Sequence, residues 1–259
     1  MATSLLSLFQ PNLSSPIRPL AVLNKSRKMR IPYELKQGQT RLLHQLPSGL
    51  NMEVIEQKGI VCNTSRDPDY KRSSENPPLV FVHGSYHAAW CWAEHWLPFF
   101  SSCGYDCYAL SLLGQGESDG PVGSFAGSLQ KLYPDLAGAV LVCSVPPSGN
   151  SGLVWRYLFS KPIAAFKELM RESSRMPLFD LRKLNASLPV PSVPKSSMKV
   201  LVVGASDDFI VDAEGLHETG RFYGVSPICV EGVAHDMMLD CSWEEGAKVI
   251  LSWLNGLSR

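Results

Sequence analysis

Five short apolar runs, each delivered straight into a glycine-rich or polar loop, constrain this chain more than any other feature. They are LVFV at 79–82 before HGS, CYALSLL at 107–113 before GQGES, AVLV at 139–142 before CS, VLVV at 200–203 before GASDD, and ICV at 228–230 before EGVAHD. Such runs are too short for helices and too uniformly apolar for a strand with one wet face, so they read as strands buried on both sides. Between and after them lie helical patterns: AAWCWAEHWLPFFSSCG at 88–104, ending at Gly104, and SWEEGAKVILSWLNGL at 242–257, capped by Ser242. MEVIEQKGIVCN, from Met52, is expected to form a first hairpin. Strands alternating with helices predict an α/β fold, a mostly parallel sheet covered by helices on both faces. In such sheets chemistry collects beyond the carboxyl ends of the strands.

Three strand ends carry residues suited to acyl chemistry. In VFVHGS, 80–85, Gly84 lets the backbone turn sharply, so that the amides of Ser85 and Tyr86 can face a developing oxyanion. In GVAHD, 232–236, His235 sits in a small-residue loop where an imidazole suits proton transfer. Asp207 and Asp208 close another strand, and either could accept the imidazole N–H and fix its tautomer. Each reading has a plain alternative: a strand-end turn, a surface histidine, and capping of the helix expected near Ala213, which Asp212 could provide instead.

Taken in order, strand-HG, strand-GQGES, strand-GxxD and late strand-GxxH resemble the α/β-hydrolase superfamily over roughly residues 52–259. FVHGSYHAAWCW is similar to the oxyanion strand and first helix of the plant methylesterase and hydroxynitrile-lyase branch. LSLLGQGESDG is similar to the family's D-x-x-G-x-G-x-S loop, with Ser111 where an Asp is usual. The resemblance implies His235 as base, Asp207 or alternatively Asp208 as acid, backbone oxyanion donors at Ser85 or Tyr86, a carboxylic ester or related acyl substrate, and no cofactor or metal.

The family's next element is a central strand running into a G-x-S-x-G turn that exposes the nucleophilic serine, then a helix. Here SFAGSLQ passes directly into KLYPDLAGAVLVCS, with no G-x-S-x-G at the expected place after the GQGES loop: the literal GESDG at 116–120 is that loop itself, GSFAG at 123–127 has Ser124 in the second place, and GNSG at 149–152 lies elsewhere. Strand, elbow and helix would need about 30 to 40 residues. The sequence thus describes a hydrolase scaffold whose nucleophile is absent, as in a truncated isoform; the alternative is a non-catalytic protein binding a small apolar, ester-like ligand or a partner. One repair is open. Were LAGAVLVCS to pair directly beside the HG strand, Cys143 and Ser144 would approach the vacant place near His235. Otherwise the two strands flanking that place lack partners.

Composition narrows the remainder. The formal net charge is zero, with 45% apolar and 19% charged residues, which gives no support for nucleic-acid binding. No apolar run reaches the roughly 18 residues of a membrane-spanning helix. Seven scattered cysteines, without zinc-finger spacing, read as buried thiols in a reducing compartment. Residues 1–51 are rich in Ser, Lys and Arg with one acid, Glu34, and are expected to be a plastid transit peptide or, alternatively, a disordered cytoplasmic leader. Residues 52–259 then form the domain, with a Pro-rich cap insertion at about 145–197.

Overall fold

The computed structural model describes residues 32–60, 76–119, 137–149 and 198–257; most of the expected cap insertion lies outside them. The chain enters through a hairpin of β1 (Gln39–Gln45) and β2 (Asn51–Gln57), paired antiparallel from Gln39 opposite Gln57 to Gln45 opposite Asn51. The hairpin therefore lies one strand earlier than the sequence suggests. Its loop closes through Gly49 N–H to the Leu46 carbonyl, with Gly49 at φ +82. β2 pairs antiparallel with β4 (Cys107–Leu110), and β4 pairs parallel with β3 (Leu79–Val82), giving the order β1-β2-β4-β3. A second sheet, all parallel, holds β5 (Gly138–Val142), β6 (Lys199–Ala205) and β7 (Ile228–Val230) in that order.

The break in composition near residue 51 is not a structural boundary. β1 precedes it, Tyr33 is buried in the core, and the Tyr33 hydroxyl donates to Glu94 at 3.0 Å. This early segment completes a helix that the sequence presented as continuous. The 88–104 pattern splits into α1 (Trp90–Ala93) and α2 (Trp96–Ser102) at His95, whose φ of −129 leaves the helical range. Pro98 has no N–H to offer Glu94, and its ring would crowd that carbonyl in an unbroken helix. The carbonyls exposed at the break are taken by side chains instead: Lys36 Nζ donates to Glu94 O at 2.6 Å and Gln39 Nε2 to Ala93 O at 2.7 Å.

The GQGES loop is held by a buried acid from another strand. Glu53 on β2 accepts from Ser111 Oγ at 2.6 Å, from the Glu117 amide at 2.9 Å and from Arg41 Nε at 2.7 Å. Ser111 Oγ in turn accepts the Ala89 amide, 2.9 Å away, at the entry to α1. The position where the family places an Asp thus carries a hydroxyl here, and the charge that organises the loop comes from Glu53, 3% exposed. A buried carboxylate with this many donors repays its desolvation.

In the second half of the chain, α3 (Ala213–Tyr223) is capped by Asp212, which accepts the Gly215 amide at 3.0 Å, and ends at Gly224 in the left-handed region. α4 (Trp243–Leu257) begins directly after Ser242. One core joins both sheets: Ile55 and Ala109 from the first, Leu201 and Val203 from the second, with Trp96, Phe100, Met237 and Ala247 between.

Among the described residues no strand lies between β3 and β5. β5 bonds β6 and not β3, so the direct pairing that would repair the sheet is not formed. The flanking strands show the consequence: Val80 on β3 is 59% exposed, and all five residues of β5 are only half-buried. Parallel strands of this composition are normally covered on both faces.

Candidate active site

β6 ends at Ala205 and the chain turns, with the Asp208 amide donating to the Ala205 carbonyl at 3.3 Å. The turn sends the two candidate acids in opposite directions. Asp207 is exposed, its carboxylate bonded only to the neighbouring Ser206 hydroxyl at 3.0 Å. Asp208 is buried: one carboxylate oxygen accepts the amides of Ile210 and Val211 at 2.7 and 2.8 Å, and the other lies 2.8 Å from His235 Nδ1. The acid against the imidazole is therefore Asp208, the alternative of the two that the sequence offered. With Asp208 on Nδ1, the ring carries its proton there and leaves Nε2 as the basic nitrogen, the tautomer a general base requires. His235 reaches this position from the loop after β7, where Gly232 at φ +69 turns the chain and the Ala234 amide is held by Asp240 at 3.0 Å.

The HG turn is built as a rigid corner. His83 Nδ1–H donates to the Gly84 carbonyl at 2.7 Å, and Nε2 accepts the Leu112 amide at 3.0 Å, so the ring pins the end of β3 to the end of β4. Accepting the Leu112 amide requires a bare Nε2 and hence the neutral ring, and burial pushes its pKa down to about 4. Tyr86 follows in the left-handed region at φ +67, a costly conformation for a residue with a side chain. His87 Nδ1–H then donates back to the Ser85 carbonyl at 2.9 Å.

His87 also joins this turn to the histidine loop, a link that sequence reasoning missed. Its Nε2 lies 3.4 Å from Asp236 Oδ1, within ion-pair distance. Burial opposes charge on both groups, yet their attraction prevails: the imidazole is raised and the carboxyl lowered. Asp236 directly follows His235, and the turn bearing Ser85 and Tyr86 is thereby docked beside the Asp208–His235 pair. The HD dipeptide at 235–236 was the available signal, but its second member had no assignable partner in one dimension.

Cys143, the residue after β5, completes the cluster. It lies at φ +45 with its amide on the Val203 carbonyl at 2.9 Å, and its thiol lies beside the Asp208 carboxylate. The donor atoms of Cys143, Asp208 and His235 all lie within 4.8 Å of one another. Sequence reasoning placed Cys143 near His235 only through pairing with β3; β6 brings it there instead. Burial, and next the facing Asp208 carboxylate, push the thiol pKa well up, the opposite of an activated nucleophile. Among the described residues the Ser144 hydroxyl bonds the Val145 carbonyl at 3.5 Å and not His235.

The family model described as "Alpha/beta hydrolase family" matches residues 79–146, from β3 through the HG turn to the end of β5. The fold as a whole is similar to a membrane phospholipase A described as a bacterial virulence factor, with a TM-score of 0.60, 17% identity, and coverage of 86% of this chain and 87% of that one. The fold is that of the α/β-hydrolases. A thermophilic esterase from Thermogutta terrifontis has a TM-score of 0.55 at 13% identity over 85% of this chain and 98% of its own. An esterase from Rhodococcus sp. ECU1013 has a TM-score of 0.52 at 15% identity over 85% and 100%. No curated protein sequence matches. Within this α/β-hydrolase fold, the acid–imidazole pair and the HG turn lie together at the carboxyl ends of β3, β5, β6 and β7, where open α/β sheets place their ligands.

Proposed function

We propose that this chain is the frame of an ester-cleaving serine hydrolase, retaining the acid and base of the site but not its nucleophile. The observation that carries the reading is the buried Asp208, bonded by two backbone amides and by His235 at a strand end. In the proposed roles His235 is the base, Asp208 its positioning acid, and the Ser85 and Tyr86 amides the oxyanion donors. The substrate of the lineage is a carboxylic ester or related acyl compound.

The serine that stands between glycines at the required spacing, Ser118, is 2% exposed and fixed within the GQGES loop, its hydroxyl donating to the Ser111 carbonyl at 2.6 Å and accepting the Glu53 amide at 2.8 Å, and neither residue after β5 takes the nucleophile's place: Cys143 lies against the acid and Ser144 bonds the Val145 carbonyl. Loss of the nucleophile from a comparable triad lowers kcat by roughly 10⁶. The chain is therefore expected to hydrolyse short-chain nitrophenyl esters no faster than a His235→Ala variant does, and to resist labelling by a fluorophosphonate. Hydrolysis that His235→Ala abolishes, or a stable serine adduct, would overturn this reading. We further propose that the acid-poor residues before Tyr33 direct import into plastids, with cleavage upstream of the β1 hairpin, because removal through residue 51 would strip β1 and the Tyr33, Lys36 and Gln39 contacts from the domain.

A further inference from the structure

We propose that Cys143, Asp208 and His235 form a binding site for a zinc-type divalent cation. The inference rests on where these three side chains lie and holds whether or not the chain cleaves esters.

The donor set is one that zinc uses, a sulfur, an imidazole nitrogen and a carboxylate oxygen, with three protein ligands leaving a fourth position open. Sulfur and imidazole together favour zinc, cobalt or cadmium over magnesium and calcium, which take oxygen ligands. The spacing fits. Tetrahedral zinc separates its ligand atoms by about 3.3 to 3.8 Å; here the imidazole–carboxylate distance is 2.8 Å and every pair lies within 4.8 Å, so sub-ångström to roughly 1 Å adjustments enclose a cation.

Charge argues the same way. With a protonated thiol and a neutral imidazole, the cluster holds one buried carboxylate. When a dication takes His235 Nδ1, the ring keeps its one proton on Nε2 and the single proton of Cys143 is released, and thiolate plus carboxylate then balance the two positive charges, leaving the site neutral.

The backbone supplies a second observation. Cys143 occupies the left-handed region, at a cost of order 1 kcal/mol or more for a residue other than glycine, directly where β5 ends. That conformation turns its thiol onto Asp208. The carboxylate is held from behind by the Ile210 and Val211 amides, as ligating carboxylates usually are, and His235 is partly exposed, which gives a cation access. No local motif reveals such a site, because its donors come from three separate strand ends.

Cobalt(II) added to the full purified chain tests the proposal. The expected result is one cation per chain with a thiolate-to-cobalt charge-transfer band and the intense visible bands of tetrahedral geometry. One proton should be released, measured calorimetrically in buffers of different ionisation enthalpy. Cys143→Ala should abolish the charge-transfer band, whereas a double Cys229→Ser, Cys241→Ser variant, which removes the two exposed thiols, should keep it. Should Cys143→Ala fail to fold, as circular dichroism would show, His235→Ala decides: it should weaken cobalt binding by more than the roughly 10- to 100-fold that losing an outer-shell partner costs. The proposal is overturned by a wild-type chain without the thiolate band, by a band that survives Cys143→Ala or disappears in the Cys229/Cys241 variant, or by unchanged affinity in His235→Ala. Ester hydrolysis is not read in any arm, so the outcome is separable from that of the nucleophile assay.

Discussion

Acid should destabilise this protein through one buried imidazole. His83 is 3% exposed, and its Nε2 accepts the Leu112 amide, a bond that only the neutral ring can make. Its folded pKa of about 4 lies below the ordinary histidine value of 6.5. A depressed histidine pKa means that the unfolded state takes up the proton first. The stabilisation is fully present above pH 6.5, falls as pH drops from 6.5 towards 4, and changes no further below that. The difference, 6.5 − 4 = 2.5, at about 1.36 kcal/mol per unit gives a loss of about 3 kcal/mol. This is a large part of the ordinary stability of a domain.

The neighbouring groups titrate in other windows. The raised His87 contributes stability that is lost as pH rises above 6.5, and the lowered Asp236 contributes stability lost as pH falls below the ordinary aspartate value of 3.8. His95, lowered by burial, acts in the same direction as His83 and is common to both proteins compared. The assay is urea unfolding of wild type and His83→Gln at half-unit steps between pH 7 and 4. Glutamine keeps a donor and an acceptor without titrating, so the variant starts about 1 kcal/mol less stable from imperfect bonds. The gap between the proteins should close, then reverse, as pH falls. Parallel stability curves for the two proteins, or an imidazole that NMR shows titrating near 6.5 in the folded state, would refute the reasoning.

Other perturbations follow from single contacts. Asp208→Ala strands the Ile210 and Val211 amides and the His235 N–H, and is expected to cost about 3 kcal/mol by chemical denaturation; Asp207→Ala, on an exposed side chain, should stay within about 0.5 kcal/mol. Gly59→Ala puts a Cβ 2.7 Å from the Gly104 backbone carbon and 2.8 Å from its oxygen, which cannot swing aside, so a loss of roughly 1 to 3 kcal/mol is expected in the same assay. Without added metal, Cys143 should resist iodoacetamide at pH 8 until the protein is denatured, whereas the exposed Cys229 and Cys241 alkylate at once; mass spectrometry of the modified peptides reads the difference. Protein recovered from isolated plastids should begin upstream of Tyr33, by N-terminal sequencing, and a start near residue 52 would contradict the role given to β1.

The sequence by itself determined the parts of this protein that are local. Buried parallel strands announce themselves as short apolar runs ending in glycine or polar residues, which is why β3 to β7, the HG turn and the His235 loop were legible in one dimension. The lack of a G-x-S-x-G turn after the GQGES loop was equally plain, because the motif is contiguous, while the burial of Ser118 in the GESDG of that loop is a matter of tertiary structure. The tertiary structure alone decided what depends on direction and on distant partners. Asp207 and Asp208 are adjacent in the chain, and only the turn after β6 shows which carboxylate meets the imidazole. The first strand hid in an acid-poor segment, since an edge hairpin with half-exposed residues has no strong apolar signature; what anchors it is Tyr33, Lys36 and Gln39 filling the break that Pro98 makes in a helix some 60 residues later. Glu53 reached the GQGES loop, His87 reached Asp236, and Cys143 reached the acid by routes through the sheets. Spacing along a chain fixes backbone geometry over a few residues, whereas side chains brought together from separate strand ends are placed by the packing of the whole fold.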